Sequence, residues 1–320
     1  MNTPSPFLAP SVPDLPAAYS LLPSALEWLA AVLGIPVGRL RIRALSGATS
    51  STLYGVGGAG SDERWVLRCL TNAEWLAEEP DILERERAAL TALAKVDFPA
   101  PRWVAEDAAG QICGVPALLM TALPGEVLLP PLPIDAWLFE LAKPLVSLHS
   151  VPQAGIHWHY HPYVNPSDAA PPAWSAQPAL WERAIEIARH PWPDFIPVFI
   201  HRDYHPVNVL FSGGRLSGIV DWPNACMGPA GFDTAWCRLN LAFMYGAPAA
   251  AAFLRACRQT AGSHFTYHPF WDILALIEVL PGPPEFYPPW AQFGLPPLPG
   301  HELIRRVEAY LGEVLRLFDS

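Results

Sequence analysis

Apolar positions along this chain follow two rhythms, and the rhythm changes near residue 124. Before that point short runs alternate with turn residues. SALEWLAAVLG, residues 24–34, spaces its apolar residues as one helix face and stops at a glycine with proline close behind. RLRIRALSGATSSTLYGVGGAGSDERWVLRCL then places β-type runs around loops of Gly, Ser and Thr, which predicts two or three antiparallel strands. Residues 80–95 predict a helix with proline in its first turn and a stripe of Ile82, Leu83, Ala89, Leu90 and Leu93. PRWVAEDAAGQICGVPALLMTAL reads as a hairpin that ends at Pro124-Gly125. Beyond it the period turns helical, in IDAWLFELAKPLVSLHSV, PALWERAIEIARH, AAAAFLRACRQTA, FWDILALIEVL and HELIRRVEAYLGEVLRLF. The expected organisation is a proline-rich extended arm over residues 1–18, a first lobe over 19–123 and a second over 124–320. A small sheet with a helix, joined to a mostly helical half, makes the class α+β with a cleft between lobes.

One carboxylate interrupts the helical stripe of residues 80–95. Glu86 sits among its apolar neighbours, where a charge is costly unless a cation meets it. On the strand WVLRCL, alternation turns Trp65, Leu67 and Cys69 to one face and Val66, Arg68 and Leu70 to the other. Arg68 is therefore the candidate partner, against the plainer reading of two unrelated surface charges.

Composition narrows the classes. With 51% hydrophobic residues, 16% charged residues and a formal charge of -10 over 320 residues, the chain is neither disordered nor suited to a nucleic-acid backbone as main partner. Five cysteines, Cys69, Cys113, Cys226, Cys237 and Cys257, never form a CxxC pair, so reduced thiols and a cytoplasmic setting are expected. The N-terminal stretch lacks a basic leader with an apolar core, and no apolar run is long enough to span a bilayer, which predicts a soluble protein with no membrane partner.

The densest chemistry lies in VFIHRDYHPVNVLFSGGRLSGIVDW, residues 198–222. VNVLF and RLSGIVDW are β-type runs around a Gly-Gly turn, so they predict a hairpin. Pairing across that turn brings Asn208 and Asp221 to the same end, with Asp203 in the loop leading in. An amide oxygen and a carboxylate, without an all-protein cage, suit magnesium held jointly with substrate phosphates, which implies a nucleotide. Asp203 beside them is placed to take or orient the proton of an attacking hydroxyl.

The motif HRDYHPVN followed by IVDW resembles the aminoglycoside phosphotransferase and choline kinase-like family, whose members share a protein kinase-like fold with an antiparallel-sheet first lobe and a helical second lobe. The likeness runs over landmarks from about residue 40 to 240. It implies an O-phosphotransferase moving the terminal phosphoryl group of ATP, or GTP, to a small-molecule hydroxyl such as an aminoglycoside-, macrolide- or choline-like acceptor. By the same resemblance Asp203 is the catalytic base, His201 supports its loop, and Asn208 and Asp221 bind Mg2+. Ser46, Gly47, Ser50 and Ser51 would cover the phosphates, and Leu119 to Ala122, through Met120 and Ala122, would meet the base. Arg68 and Glu86 would hold the α- and β-phosphates. A lysine is usual at the Arg68 position, but the chain has only Lys95 and Lys143, and the exchange is not conservative. Asp233 resembles the aspartate that begins the next helix and braces the loop, a position an N-cap role would also explain. Trp222 is expected to pack beneath the metal aspartate.

Several residues carry two readings. His205 either orients the loop or satisfies a local backbone group. His201, Asp203 and His205 could form the metal cluster of a phosphoesterase, and a non-catalytic nucleotide binder is a further alternative. The HWHYH run puts His157, His159 and His161 on one face if extended, either as ligands or as aromatic packing. By the same resemblance the late helices of the second lobe form the acceptor pocket and bring Trp174, Trp181, Trp236, Trp271, Tyr287 and Trp290, which either cage a cation or stack on a flat alcohol or, as for most tryptophans, simply pack in the core or on the surface. No acceptor and no oligomeric state follows from the sequence.

Overall fold

The computed structural model describes residues 21–45, 51–60, 63–130, 133–152 and 155–319, so the expected N-terminal arm and most of the SGATSST loop lie outside it. Helix α1 (Pro23–Leu33) starts with proline in its first turn and ends at Gly34, whose φ of 66° is open to a residue without a Cβ. Strands β1 (Leu40–Leu45), β2 (Thr52–Gly58) and β3 (Trp65–Cys69) follow, then α2 (Ala73–Glu78) and α3 (Ile82–Leu93), then β4 (Trp103–Asp107) and β5 (Ala117–Thr121). The five strands form one antiparallel sheet in the order β1-β2-β3-β5-β4.

Side-chain alternation on β3 divides two cores. Leu67 and Cys69 join Ala25 and Leu29 of α1 in one cluster, whereas Leu70 on the other face joins Leu90 and Leu93 of α3. The second cluster is continuous with the core of the helical half, so α3 is wedged between sheet and second lobe. Two local expectations are corrected. Pro80 lies before α3 rather than in its first turn, and the preceding residues form α2, capped by Asn72 Oδ1 accepting from Trp75 N at 3.0 Å.

The chain leaves the first sheet after Thr121 and enters a second through β6 (Glu126–Val127), which pairs with the hairpin β8 (Val209–Ser212) and β9 (Arg215–Ile219). Gly213 and Gly214, with φ of 58° and 76°, turn that hairpin. Strands β7 (Val198–Ile200) and β10 (Cys226–Gly228) pair antiparallel beside it. The remainder is helical: α4 (Asp135–Leu148), α5 (Pro178–Ala188), α6 (Ala230–Tyr245), α7 (Ala247–Ala261), α8 (Phe270–Ile277), α9 (Pro288–Gln292) and α10 (Gly300–Phe318). Helix α10 buries Leu303, Val307, Tyr310, Leu311, Val314 and Leu315 along one stripe, each worth roughly 1.5–3 kcal/mol of transfer free energy.

The five cysteines are buried and form no disulfide with one another. No helix among the described residues is long and apolar enough to cross a membrane.

Candidate active site

Three devices place the functional groups. Strand β7 delivers His201 and Arg202, and Arg202 takes a φ of 68°, a left-handed conformation that costs about 1–2 kcal/mol for a residue with a side chain. Asp233, fully buried on α6, holds that turn: its Oδ2 accepts from His201 N at 3.1 Å and its Oδ1 from Arg202 N at 2.8 Å. His149 Nε2 meets the same Oδ2 at 3.0 Å. The aspartate makes no capping hydrogen bond to its own helix, so bracing the loop is what it does.

The second device is His201. Its Nε2 donates to Val220 O at 2.9 Å, and its ring centroid lies 4.4 Å from that of Trp222. This bond runs from the loop to the end of the hairpin, where Val220 N also donates to Asn208 O at 2.9 Å. Asn208 closes a single 3₁₀ turn (Pro206–Asn208) just before β8, rather than opening the strand itself. Asp221 stands one residue past the Val220 contact, with a φ of 70°. Asn208 and Asp221 thus sit at one end of the hairpin, on neighbouring backbones.

The third device is the ion-pair chain from the first lobe. Arg68 Nε lies 3.3 Å from Glu86 Oε2, and Arg68 Nη2 lies 2.7 Å from Asp221 Oδ1. The partner that Glu86 needed is therefore Arg68. Burial opposes the Arg68 charge, but Glu86 and then Asp221 outweigh it and hold the guanidinium protonated. Burial also pushes the Glu86 carboxyl up to about 6, against the pull of Arg68. Asp221 differs from both in keeping 38% of its side chain exposed.

Asp203 is held tightly. Trp236 Nε1 donates to its Oδ1 at 2.7 Å, and Asn208 Nδ2 donates to its Oδ2 at 3.2 Å and its backbone O at 2.9 Å. His205 Nε2 lies 3.5 Å from Oδ1. Burial works to raise this carboxyl, yet His205, His201 and the Trp236 bond prevail and keep it below the usual range, so it stays an acceptor. Because the Asn208 nitrogen is committed to Asp203, its Oδ1 is the group left for a cation.

The donor set fits magnesium by its chemistry. It offers one amide oxygen and one partly exposed carboxylate already facing a cation, too few protein ligands for zinc or calcium and suited to an ion shared with phosphates. Among the described residues no three His, Cys, Asp or Glu side chains are arranged to hold a metal. The phosphoesterase cluster is thereby corrected: His201 spends Nε2 on a carbonyl and His205 faces Asp203.

Other expected residues fall differently. Ser46, Gly47 and Ser50 lie outside the described residues, while Ser51 is half-buried just before β2. Met120 packs in the core, and the N–H groups of Thr121 and Ala122 donate to Arg102 O and Arg64 O, so those two main-chain donors are already committed. HWHYH lies beside β10, with Tyr160 N donating to Met227 O at 2.8 Å. Its three histidines line a cleft of about 370 Å³ with Glu79, Asp81, Arg85 and Arg202, but not as a metal site. Of the second-lobe aromatics, Trp181, Trp271 and Trp290 are buried packing and Trp174 stands edge-on to Trp181. Trp236 alone of the six lines the small cavity at Asp203, together with Tyr163, Arg202, Asn224 and Phe232.

Residues with no sequence signal also shape this region. Glu278, buried at the end of α8, accepts from Tyr163 N at 2.9 Å, and burial pushes its carboxyl up to about 7. Tyr163 in turn lies under Arg202, with the guanidinium 4.1 Å from its ring centroid.

Comparison with known proteins supplies the remaining findings. The family model APH, described as phosphotransferase enzyme family, matches residues 41–270. The homoserine kinase of Chelativorans sp. (strain BNC1) is 30% identical over 147 residues, 40% of this chain and 42% of that protein. That of Rhodopseudomonas palustris (strain BisB5) is 30% identical over 161 residues, 44% and 46% of the two chains. The chain thus matches less than half the length of either relative. Among solved structures, a thermostable mutant of aminoglycoside phosphotransferase APH(4)-Ia, in ternary complex with ADP and hygromycin B, covers 90% of this chain and 98% of its own, at TM-score 0.59 and 15% identity. Macrolide 2'-phosphotransferase MphH from Brachybacterium faecium covers 92% and 93%, at TM-score 0.50 and 19% identity.

Proposed function

The chain belongs to the phosphotransferase enzyme family and has its two-lobed, α+β protein kinase-like fold, and from that premise we propose that it transfers the terminal phosphoryl group of ATP or GTP to the hydroxyl of a small molecule. One observation carries the reading: Arg68 touches Glu86 and Asp221 at once, so a fixed cation of the first lobe meets the hairpin mouth where Asn208 and Asp203 stand.

In this reading Asp203 accepts the proton of the attacking hydroxyl. A carboxylate kept below the usual range is a weak base, so its main work is orienting that hydroxyl while the proton leaves late. Arg68 binds phosphate oxygens in a fork, an option a lysine lacks, and Glu86 holds the guanidinium in place. Asn208 and Asp221 would hold magnesium, which supplies charge neutralisation on the phosphoryl oxygens. His201 and Asp233 keep loop and hairpin in register. Support for a nucleotide comes from this donor set and from the ADP complex of the structural neighbour; support for small hydroxylated acceptors comes from the homoserine kinase, aminoglycoside and macrolide relatives.

The test is nucleotide turnover with magnesium against a panel of amino alcohols, homoserine, amino sugars and macrolides. Asp203→Ala should lower transfer about 100- to 10,000-fold with nucleotide affinity held within about twofold by calorimetry. Asp221→Ala should instead weaken the magnesium-dependent part of nucleotide binding. Equal turnover in the parent and both variants overturns the assignment.

A further inference from the structure

The base carries a hydrogen bond that its own loop does not supply. Trp236 reaches it from the second turn of α6, 33 residues on, with Nε1 to Asp203 Oδ1 at 2.7 Å. The ring is 3% exposed and stacks on Phe232 with centroids 5.9 Å apart at 25°. Its orientation is thus set by packing. The loop contributes the other contacts, Asn208 Nδ2 to Oδ2 and His205 Nε2 near Oδ1. A carboxylate on a single χ1–χ2 pair swings freely when one oxygen is held, whereas donors on both oxygens, from different elements, leave one orientation. The same indole lines the small cavity beside Asp203 with Tyr163, Arg202, Asn224 and Phe232.

We propose that Trp236 is a positioning residue, whose indole N–H fixes the Asp203 carboxylate toward the acceptor while its ring walls the cavity beside it. This rests on the phosphotransfer reading given above. The side chain is anchored on the same helix as Asp233, which braces the loop backbone, so α6 sets both the backbone and the carboxylate of the base.

Two measurements test it. In steady-state kinetics Trp236→Phe, which keeps an aromatic ring and removes the donor, should lower kcat about 10- to 100-fold and leave the KM for nucleotide within about twofold. In 15N spectra of the full-length protein, the Trp236 indole N–H resonance, assigned by triple-resonance experiments on the parent, should be the one that shifts most in Asp203→Ala, so this readout does not require a folded Trp236→Phe. A kcat within twofold of the parent overturns the inference, as does a change confined to the acceptor KM, since the ring would then be only a wall. An unmoved indole resonance in Asp203→Ala also overturns it. If the parent transfers no phosphoryl group to any acceptor, the reaction assigned above is what fails, and the indole resonance alone decides whether Trp236 holds Asp203.

Discussion

Arg68 and Arg238 are both buried against carboxylates, as is Arg85, and the first two are finished to different degrees. In the second lobe, Arg238 donates to Asp272 and, through Nη1, to Tyr267 OH at 3.0 Å, while Tyr310 OH donates to Asp272 Oδ1 at 2.6 Å and Arg238 Nε donates to Ala250 O at 3.3 Å. No buried atom of Arg238, Asp272 or Tyr310 is left without a partner. In the first lobe, Arg68 Nε faces Glu86 Oε2 at 3.3 Å as an ion pair without hydrogen-bond geometry, Glu86 Oε1 is buried without a hydrogen bond, and Asp221 remains partly open to solvent. A network whose donors and acceptors are all matched is inert scaffold, whereas one with unspent groups at a cleft is ready for something else. The contrast separates architecture from chemistry without appeal to position in the chain.

The contrast makes opposite predictions for the two clusters. The largest effect belongs to the saturated one: Arg238→Met strands the Asp272 charge and should cost about 3–5 kcal/mol in urea unfolding. Arg68→Met should cost roughly 1 kcal/mol or less of stability, because Glu86 can take up a proton, yet lower turnover about 100-fold, close to 3 kcal/mol in the barrier. Urea curves and kcat/KM on the same preparations check both; similar stability losses in the two variants would erase the distinction.

A smaller, pH-dependent effect follows from Glu86. Its folded pKa, about 6, lies above its ordinary value of 4.5, so the folded state binds more protons between those limits. The stability this contributes is present in full below about pH 4.5 and is lost as pH rises through 6, by roughly 2 kcal/mol. Glu86→Gln should remove that slope, seen as the difference in unfolding free energy between parent and variant across pH 4.5–7. An unchanged difference would show that Arg68 holds Glu86 ionised throughout.

Much of this was legible in the chain. The alternation on WVLRCL put Arg68 on the face that meets α3, and the stripe of α3 put Glu86 beside it, because both periods are local backbone geometry. The Gly-Gly turn paired Asn208 with Val220 and so brought Asp221 alongside. Helix α6 was not legible as a helix from its pattern, since fourteen of its sixteen residues are buried, Asp233, Arg238 and Asn240 among them, and a helix buried all round has no solvent face to set a polar stripe. Of the two readings of the second-lobe aromatics, packing holds for Trp181, Trp271 and Trp290, because tryptophan signals burial and burial alone does not distinguish the core from a site.

Local periodicity therefore set which groups could face one another: Arg68 toward Glu86, Asn208 beside Asp221, and Asp203 leading into the turn. Contacts across 33 and 153 residues, Trp236 with Asp203 and Arg68 with Asp221, came only from packing. Periodicity acts over a few residues through φ and ψ, but which indole or guanidinium arrives at a carboxylate depends on how whole lobes settle around a shared core, and no short stretch of chain carries that information.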